Sequence, residues 1–164
     1  VKNIAPTPKP LIADIGCGYG AMLDFIEKTP RYKAFSYIGV DINRSMIAAC
    51  KKRFPDKEQL FTVGKFSYSN VDFSLFSGTF NLCHTEDVNL WSDYIFTNLK
   101  KSWQRSRYGL VLNLLCAPTS HVKNHIFYAD RHSFITRASK AFGPTYAVST
   151  LHVSNDVTFV IARD

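Results

Sequence analysis

A chain of 164 residues, 46% hydrophobic, can close one sizeable core and holds little material for a second, so a single domain over residues 1–164 is expected. No stretch approaches the roughly 20 apolar residues of a membrane span, and the opening Val1-Lys2-Asn3-Ile4-Ala5-Pro6 lacks the apolar run of a secretory signal, so the expectation is a cytoplasmic protein with no membrane partner. Twenty basic against thirteen acidic side chains give a formal charge of +7, which favours an anionic partner, yet the basic residues are scattered rather than gathered into a nucleic-acid tail.

Residues 1–10 carry three prolines and no periodic pattern, and read as an extended lead-in to the first strand. A chain that reaches its first strand so early is expected to lack an upstream helical lid over the pocket. Leu11 to Ile15 form that strand, followed by Gly16-Cys17-Gly18-Tyr19-Gly20. Residues 21–28 read as a helix with Met22, Phe25 and Ile26 on one face, closed by Pro30.

Phe35 to Val40 make the second strand, ending in Asp41. Asn43 or Ser45 then caps a helix whose apolar side is Met46, Ala49 and Cys50 and which stops at Pro55. Leu60 to Val63 and Val71 to Phe76 are the third and fourth strands, with too short a link for a full crossover helix. Between residues 88 and 104, Trp91, Ile95, Leu99 and Trp103 repeat at i+4 as an apolar ridge on a long helix.

Leu110 to Leu115 is nearly all apolar, as a strand buried on both faces should be. A polar loop is expected from Pro118 to His125, then a helix from about Arg131 to Ala141. Two strands, Tyr146 to Val153 and Val157 to Ala162, follow as a hairpin joined by Ser154-Asn155-Asp156. Cys17, Cys50, Cys83 and Cys116 are evenly spaced but their surroundings do not match, so neither a repeat nor a metal site is supported and reduced thiols are expected.

The chemistry concentrates in the glycine turn and two acids. Glycines at 16, 18 and 20 let the backbone turn tightly and approach a ligand at the start of a helix. Gly16-x-Gly18-x-x-Ala21 also satisfies a dinucleotide pattern, which keeps a nicotinamide-dependent oxidoreductase as an alternative. Asp14, two residues before the first glycine, would repel a nearby pyrophosphate but could help hold a cationic amino-acid ligand. Asp41 can accept hydrogen bonds from a ribose diol in either case.

On these residues the chain resembles the class I S-adenosylmethionine-dependent methyltransferases, whose first motif has the form acid-x-Gly-x-Gly-x-Gly, here Asp14-Ile15-Gly16-Cys17-Gly18-Tyr19-Gly20. The resemblance continues in Tyr37 to Ile47, in Phe54-Pro55 and in the terminal hairpin. It implies an α/β, Rossmann-like fold: a seven-stranded, mostly parallel sheet in the order 3-2-1-4-5-7-6, strand seven antiparallel, with helices on both faces. It implies S-adenosyl-L-methionine as cofactor and S-adenosyl-L-homocysteine as product.

By the same resemblance Gly16, Cys17 and Gly18 would contact the methionine part, with Asp14 and Gly20 completing that turn. Asp41 and Ile42 would contact the ribose and adenine edge, and Lys65 and Phe66 the adenine. The family often has an acid where Lys65 stands, and lysine cannot accept the adenine amine's hydrogen bond. Ser77-Gly78-Thr79-Phe80-Asn81 is similar to a subgroup of mostly uncharacterised members with Ser-Gly-x-Phe-Asn after strand four, which would place Ser77 and Gly78 along the cofactor. Asn81 is open to a pocket role or a structural hydrogen bond.

The acceptor is not legible. Neither Asn-Pro-Pro-Tyr nor Asp-Pro-Pro-Tyr follows strand four, and there is no Pro-Cys nucleophile, which lowers adenine-amine, glutamine-amide and cytosine C5 acceptors. Aromatic residues at Phe80, Phe127 and Tyr128 favour a small-molecule acceptor, while the +7 charge keeps RNA, and more distantly protein, as alternatives. His84, His121 and His125 lie on the expected ligand edge as candidate bases, although alignment alone can suffice for methyl transfer. A non-catalytic domain that keeps the cofactor fold is the remaining alternative.

Overall fold

In the computed structural model, which describes residues 9–150 and 153–163, β1 (Leu11–Ile15) lies between β2 (Ser36–Asp41) and β4 (Val71–Phe76), parallel to both. β3 (Phe61–Val63) runs parallel beside β2. Ile15 pairs with Val40, so the chain leaves β1 at Gly16 next to the end of β2 at Asp41. Two acid-bearing segments distant in sequence are thereby brought to one carboxyl edge.

β5 (Ser106–Ala117) is parallel to β4, and β9 (Val153–Ala162) is antiparallel to β5 from Gly109↔Ala162 to Leu115↔Asp156. β8 (Thr145–Thr150) pairs antiparallel with β9. The expected order with a reversed last strand is therefore present as β3-β2-β1-β4-β5-β9-β8. The carboxyl end of β5 also pairs with β7 (Ile126–Asp130), which carries the antiparallel β6 (His121–Lys123).

This last hairpin corrects the expected polar loop from Pro118 to His125. Asn124 and His125, at φ 52° and 61°, are the two residues between the paired Lys123 and Ile126, and a two-residue hairpin turn of this hand requires both to be left-handed. Histidine in the place usually taken by glycine hid the signal. A second correction concerns Ser154, Asn155 and Asp156, which belong to β9 instead of forming a turn. Asn113 on β5 donates its amide to Asp156 Oδ1 and Oδ2 at 2.9 and 3.1 Å, a cross-strand bond that suits a polar residue to strand. The expected extension of the preceding strand across residues 151 and 152 lies outside the described residues.

α1 (Ala21–Lys28) and α2 (Arg44–Arg53) cover one face of the sheet, burying Leu23, Ile26, Ile47 and Cys50 against Ile12, Tyr37 and Phe61. Ile26 and Cys50 are buried as expected and are joined by Leu23 and Ile47, whereas Phe25 and Met46 of the expected stripes remain exposed. α3 (Val88–Arg105) and α4 (Arg131–Ala141) cover the other face, where Ile95, Leu99, Phe134 and Ala138 meet Ala13, Leu110 and Phe159. Ile12 and Ala13, adjacent on β1, serve opposite cores, as the two-residue strand period demands.

Asn43 caps α2 by accepting the Ser45 and Met46 amides, and Asp87 caps α3 by accepting those of Asn89 and Leu90 at 2.9 and 3.0 Å. Among the described residues no helix is long and apolar enough to cross a membrane.

Candidate active site

The turn after β1 is tied to β2 through both backbone and side chain. The Gly16 and Cys17 amides donate to the Val40 carbonyl at 2.7 and 3.1 Å. The Gly18 amide donates to Asp41 Oδ2 at 2.9 Å, and the Asn43 amide to Asp41 Oδ1 at 2.8 Å. Asp41 is only 9% exposed, so its carboxylate is oriented before any ligand arrives, and each oxygen retains capacity for a further donor.

The segment after β4 is latched onto the same turn. Thr79 Oγ1 donates to the Ile15 carbonyl at 2.6 Å, and its side chain sits against Gly16, whose φ is +80° and where a Cβ would come within 2.7 Å of Thr79. The Gly78 amide donates to Asn113 Oδ1 at 2.6 Å, which makes Asn113 a bridge from Gly78 to Asp156.

Between these segments and α3 lies a cavity of about 290 Å³, near the small end of the roughly 300–1,000 Å³ typical of ligand pockets. Its lining includes Gly16, Gly78 and Thr79 from the two turns, Asp41, Ile42, Gly64 and Lys65 from the ends of β2 and β3, the aromatic residues Phe80, Trp91 and Tyr94, and Leu82, His84 and Asn98.

Of the residues expected from sequence, Gly16, Asp41, Ile42, Lys65 and Gly78 line this cavity. Gly18 stands behind it through its bond to Asp41, and Gly20 leads into α1. Cys17 is buried, with Cys50 Sγ also directed to the Gly18 carbonyl at 3.0 Å, and burial pushes the Cys17 thiol well above its ordinary range. Asp14 is buried and accepts the Tyr37 hydroxyl at 2.9 Å. Burial raises its pKa from 3.8 to about 6; the Tyr37 bond opposes that rise and the nearby Asp41 charge adds to it. Phe66 is half-buried, with its ring 5.7 Å from that of Tyr68, and Ser77 is exposed at the end of β4. Neither lines the cavity.

Of the candidate bases, His84 reaches the cavity. His121 stacks on Tyr128 at 4.8 Å and sits 2.9 Å from the Thr119 carbonyl, while His125 occupies the hairpin turn. Asn81 Oδ1 accepts the Leu115 amide at 3.2 Å, a structural bond. Sequence reasoning passed over Trp91 as pure core, and missed Tyr94 and Asn98. The three recur at i, i+3 and i+7 on α3, a stripe masked by the adjoining apolar ridge of Ile95 and Leu99.

A family model described as a methyltransferase domain matches residues 12–102, more than half of the chain. The chain belongs to the class I S-adenosylmethionine-dependent methyltransferase family. It is 27% identical over 140 residues to "Putative methyltransferase Rv1506c" of Mycobacterium tuberculosis, covering 84% of this chain and 83% of that protein. Among solved structures, it is similar to CalS10 of Micromonospora echinaspora, an amino pentose methyltransferase with bound SAM. That match has a TM-score of 0.65 and 14% identity, over 94% of this chain and 84% of that one. The SAM-bound magnesium protoporphyrin IX methyltransferase of Synechocystis PCC 6803 matches with a TM-score of 0.57 and 14% identity, over 94% and 71%. At such identities these two likenesses concern the fold.

The cavity residues of this methyltransferase fit the family's cofactor. A ribose diol needs a fixed acceptor, which Asp41 supplies, and a bulky flexible ligand needs walls without intruding side chains. At Gly78, which lines the cavity, a Cβ would meet no atom within 4 Å, so no neighbouring side chain crowds the wall there.

Proposed function

We propose that residues 1–164 form one S-adenosylmethionine-binding domain that methylates a small molecule, with the cofactor held along the carboxyl edge of β1, β2 and β4. The observation that carries this reading is Asp41, buried at the cavity's border with one backbone amide already on each oxygen. When bound, the cofactor supplies a methyl group on a sulfonium, open to direct displacement by a nucleophile.

In this reading Asp41 accepts the ribose hydroxyls, and Ile42 with the backbone of Lys65 and Phe66 borders the adenine. Gly16, Cys17 and Gly18 face the methionine part with main-chain atoms, Gly20 opens α1, and Ser77 and Gly78 flank the other side. Asp14 acts from behind, through the shape and charge of the turn. Phe80, Trp91 and Tyr94 exclude water beside the reacting centre, and His84 takes the proton from an acceptor O–H or N–H. The small volume of the cavity, about 290 Å³, favours a compact acceptor over RNA, and the proposed setting is the cytoplasm.

Calorimetric titration of S-adenosylmethionine and S-adenosylhomocysteine into the protein tests the reading. Micromolar binding, lost in Asp41→Ala, is expected. Absence of heat with the unsubstituted chain would sink it.

A further inference from the structure

Lys65 is the single Lys or Arg among the cavity-lining residues described. It is exposed, and its ammonium lies 6.0 Å from the centroid of the Tyr94 ring. Among the described residues no carboxylate pairs with it, whereas Lys28, Arg53, Lys57 and Arg137 each have one. A lysine at this border therefore brings to the cavity a positive charge with no ion-pair partner.

What lies next to that charge is flat and apolar. Tyr94 stacks on Trp91 at 4.9 Å and 24°, and His84 meets Trp91 edge-on at 6.3 Å and 80°. Phe80 closes on Tyr94 edge-on at 6.5 Å. Lys65, Tyr94, Trp91 and His84, all lining the cavity, are thus successive neighbours, a row of contacts from the ammonium to the imidazole.

The row is rigidly supported. Trp91 Nε1 donates to the Phe80 carbonyl at 3.0 Å. The segment bearing His84 is pinned to the β6–β7 hairpin, with the Cys83 amide on the His125 carbonyl at 2.7 Å and the Phe127 amide on the Asn81 carbonyl at 2.8 Å. These two bonds fix the backbone of the segment that carries His84.

Aromatic walls favour a planar apolar body, and an ammonium that has no carboxylate partner favours one anionic group on it. A neutral arene would gain only the first interaction. A polyanion would need several cations at the cavity, where Lys65 stands without another lysine or arginine among the described lining residues. The overall charge of +7 adds steering toward anions.

We propose that this row is the acceptor subsite and that the acceptor is a small aromatic monoanion whose charged group pairs with the Lys65 ammonium while its ring lies against Tyr94 and Trp91. The assignment deepens the methyltransferase reading and rests on it for the word acceptor. It gives the Lys65 side chain to the acceptor and leaves its backbone beside the adenine.

Two fluorescent probes that differ by one sulfonate, 8-anilinonaphthalene-1-sulfonate and the uncharged N-phenyl-1-naphthylamine, separate charge from apolarity. Saturable binding of the sulfonate, on the order of tenfold tighter than its neutral counterpart, is expected, as one charge-assisted contact warrants. Lys65→Met should remove that preference and Lys65→Arg should keep it, with 4-hydroxybenzoate displacing the sulfonate from the unsubstituted chain. Equal affinity for the two probes, or a preference that survives Lys65→Met, overturns the proposal while leaving cofactor binding standing. Absence of S-adenosylhomocysteine binding in a parallel calorimetric titration overturns the acceptor role through its parent reading, and is distinguishable because the probe preference would persist.

Discussion

The Gly18 amide and the Asp41 carboxylate, 23 residues apart in sequence, meet at 2.9 Å, so the glycine turn and the acid that ends β2 act as one unit. Asp41→Asn keeps the size but replaces one accepting oxygen with a donor that must face the Gly18 or the Asn43 amide. The affinity for S-adenosylhomocysteine should fall about tenfold to a hundredfold, the worth of a hydrogen bond to a charged group, as read by calorimetry.

Gly16→Ala places a Cβ 2.7 Å from Thr79 Cγ2 and Oγ1 at a φ of +80°. A loss of about 1–3 kcal/mol is expected in urea unfolding. Adding Thr79→Ser removes the methyl neighbour and should recover part of that loss, since the left-handed backbone strain remains.

Asp14 holds its proton to about pH 6 in the folded chain, against an ordinary 3.8. Between those values the folded state carries a proton that the unfolded state has lost, so stability must fall as pH rises from about 4 to about 6. Asp14→Asn retains an acceptor for the Tyr37 hydroxyl and should flatten that dependence. Comparing the two chains by chemical unfolding at pH 4.5 and pH 7 should reveal a difference on the order of 2 kcal/mol.

Asn113 accepts the Gly78 amide on one side and donates to Asp156 on the other. Gly78 is exposed enough for water to take over its amide in Asn113→Ala. The stability loss, about 1–3 kcal/mol, should therefore come from the Asp156 carboxylate left without its amide donor, while S-adenosylhomocysteine affinity drops severalfold as the Gly78 segment loses its anchor. A stability loss with unchanged affinity would contradict the bridge.

Much of the architecture was legible because apolar runs and their closing residues are local signals. Val71 to Phe76 is a strand between the same residues that its composition indicates, and residues 21–28 are helical as expected. The β6–β7 hairpin escaped because its turn uses Asn124-His125, a pair with no glycine. The terminal turn was misplaced because Ser154-Asn155-Asp156 is polar, and it is the Asn113 side chain, diagonal to Asp156 on β5, that gives its carboxylate a partner within the strand.

By itself the sequence determined the acid-and-glycine turn and the second acid, since spacing and hydrophobic period act within short segments, while the strand order that joins them came only with the family resemblance those residues carry. Only the tertiary structure decided which of those residues border a cavity. Asp14 went into the core with Tyr37, because a strand's alternation sends its neighbours to opposite faces, while α3 brought Trp91 and Tyr94 over the sheet to stand beside Lys65. Contacts between residues about thirty positions apart depend on how whole elements pack, and no local pattern in the chain encodes that distance.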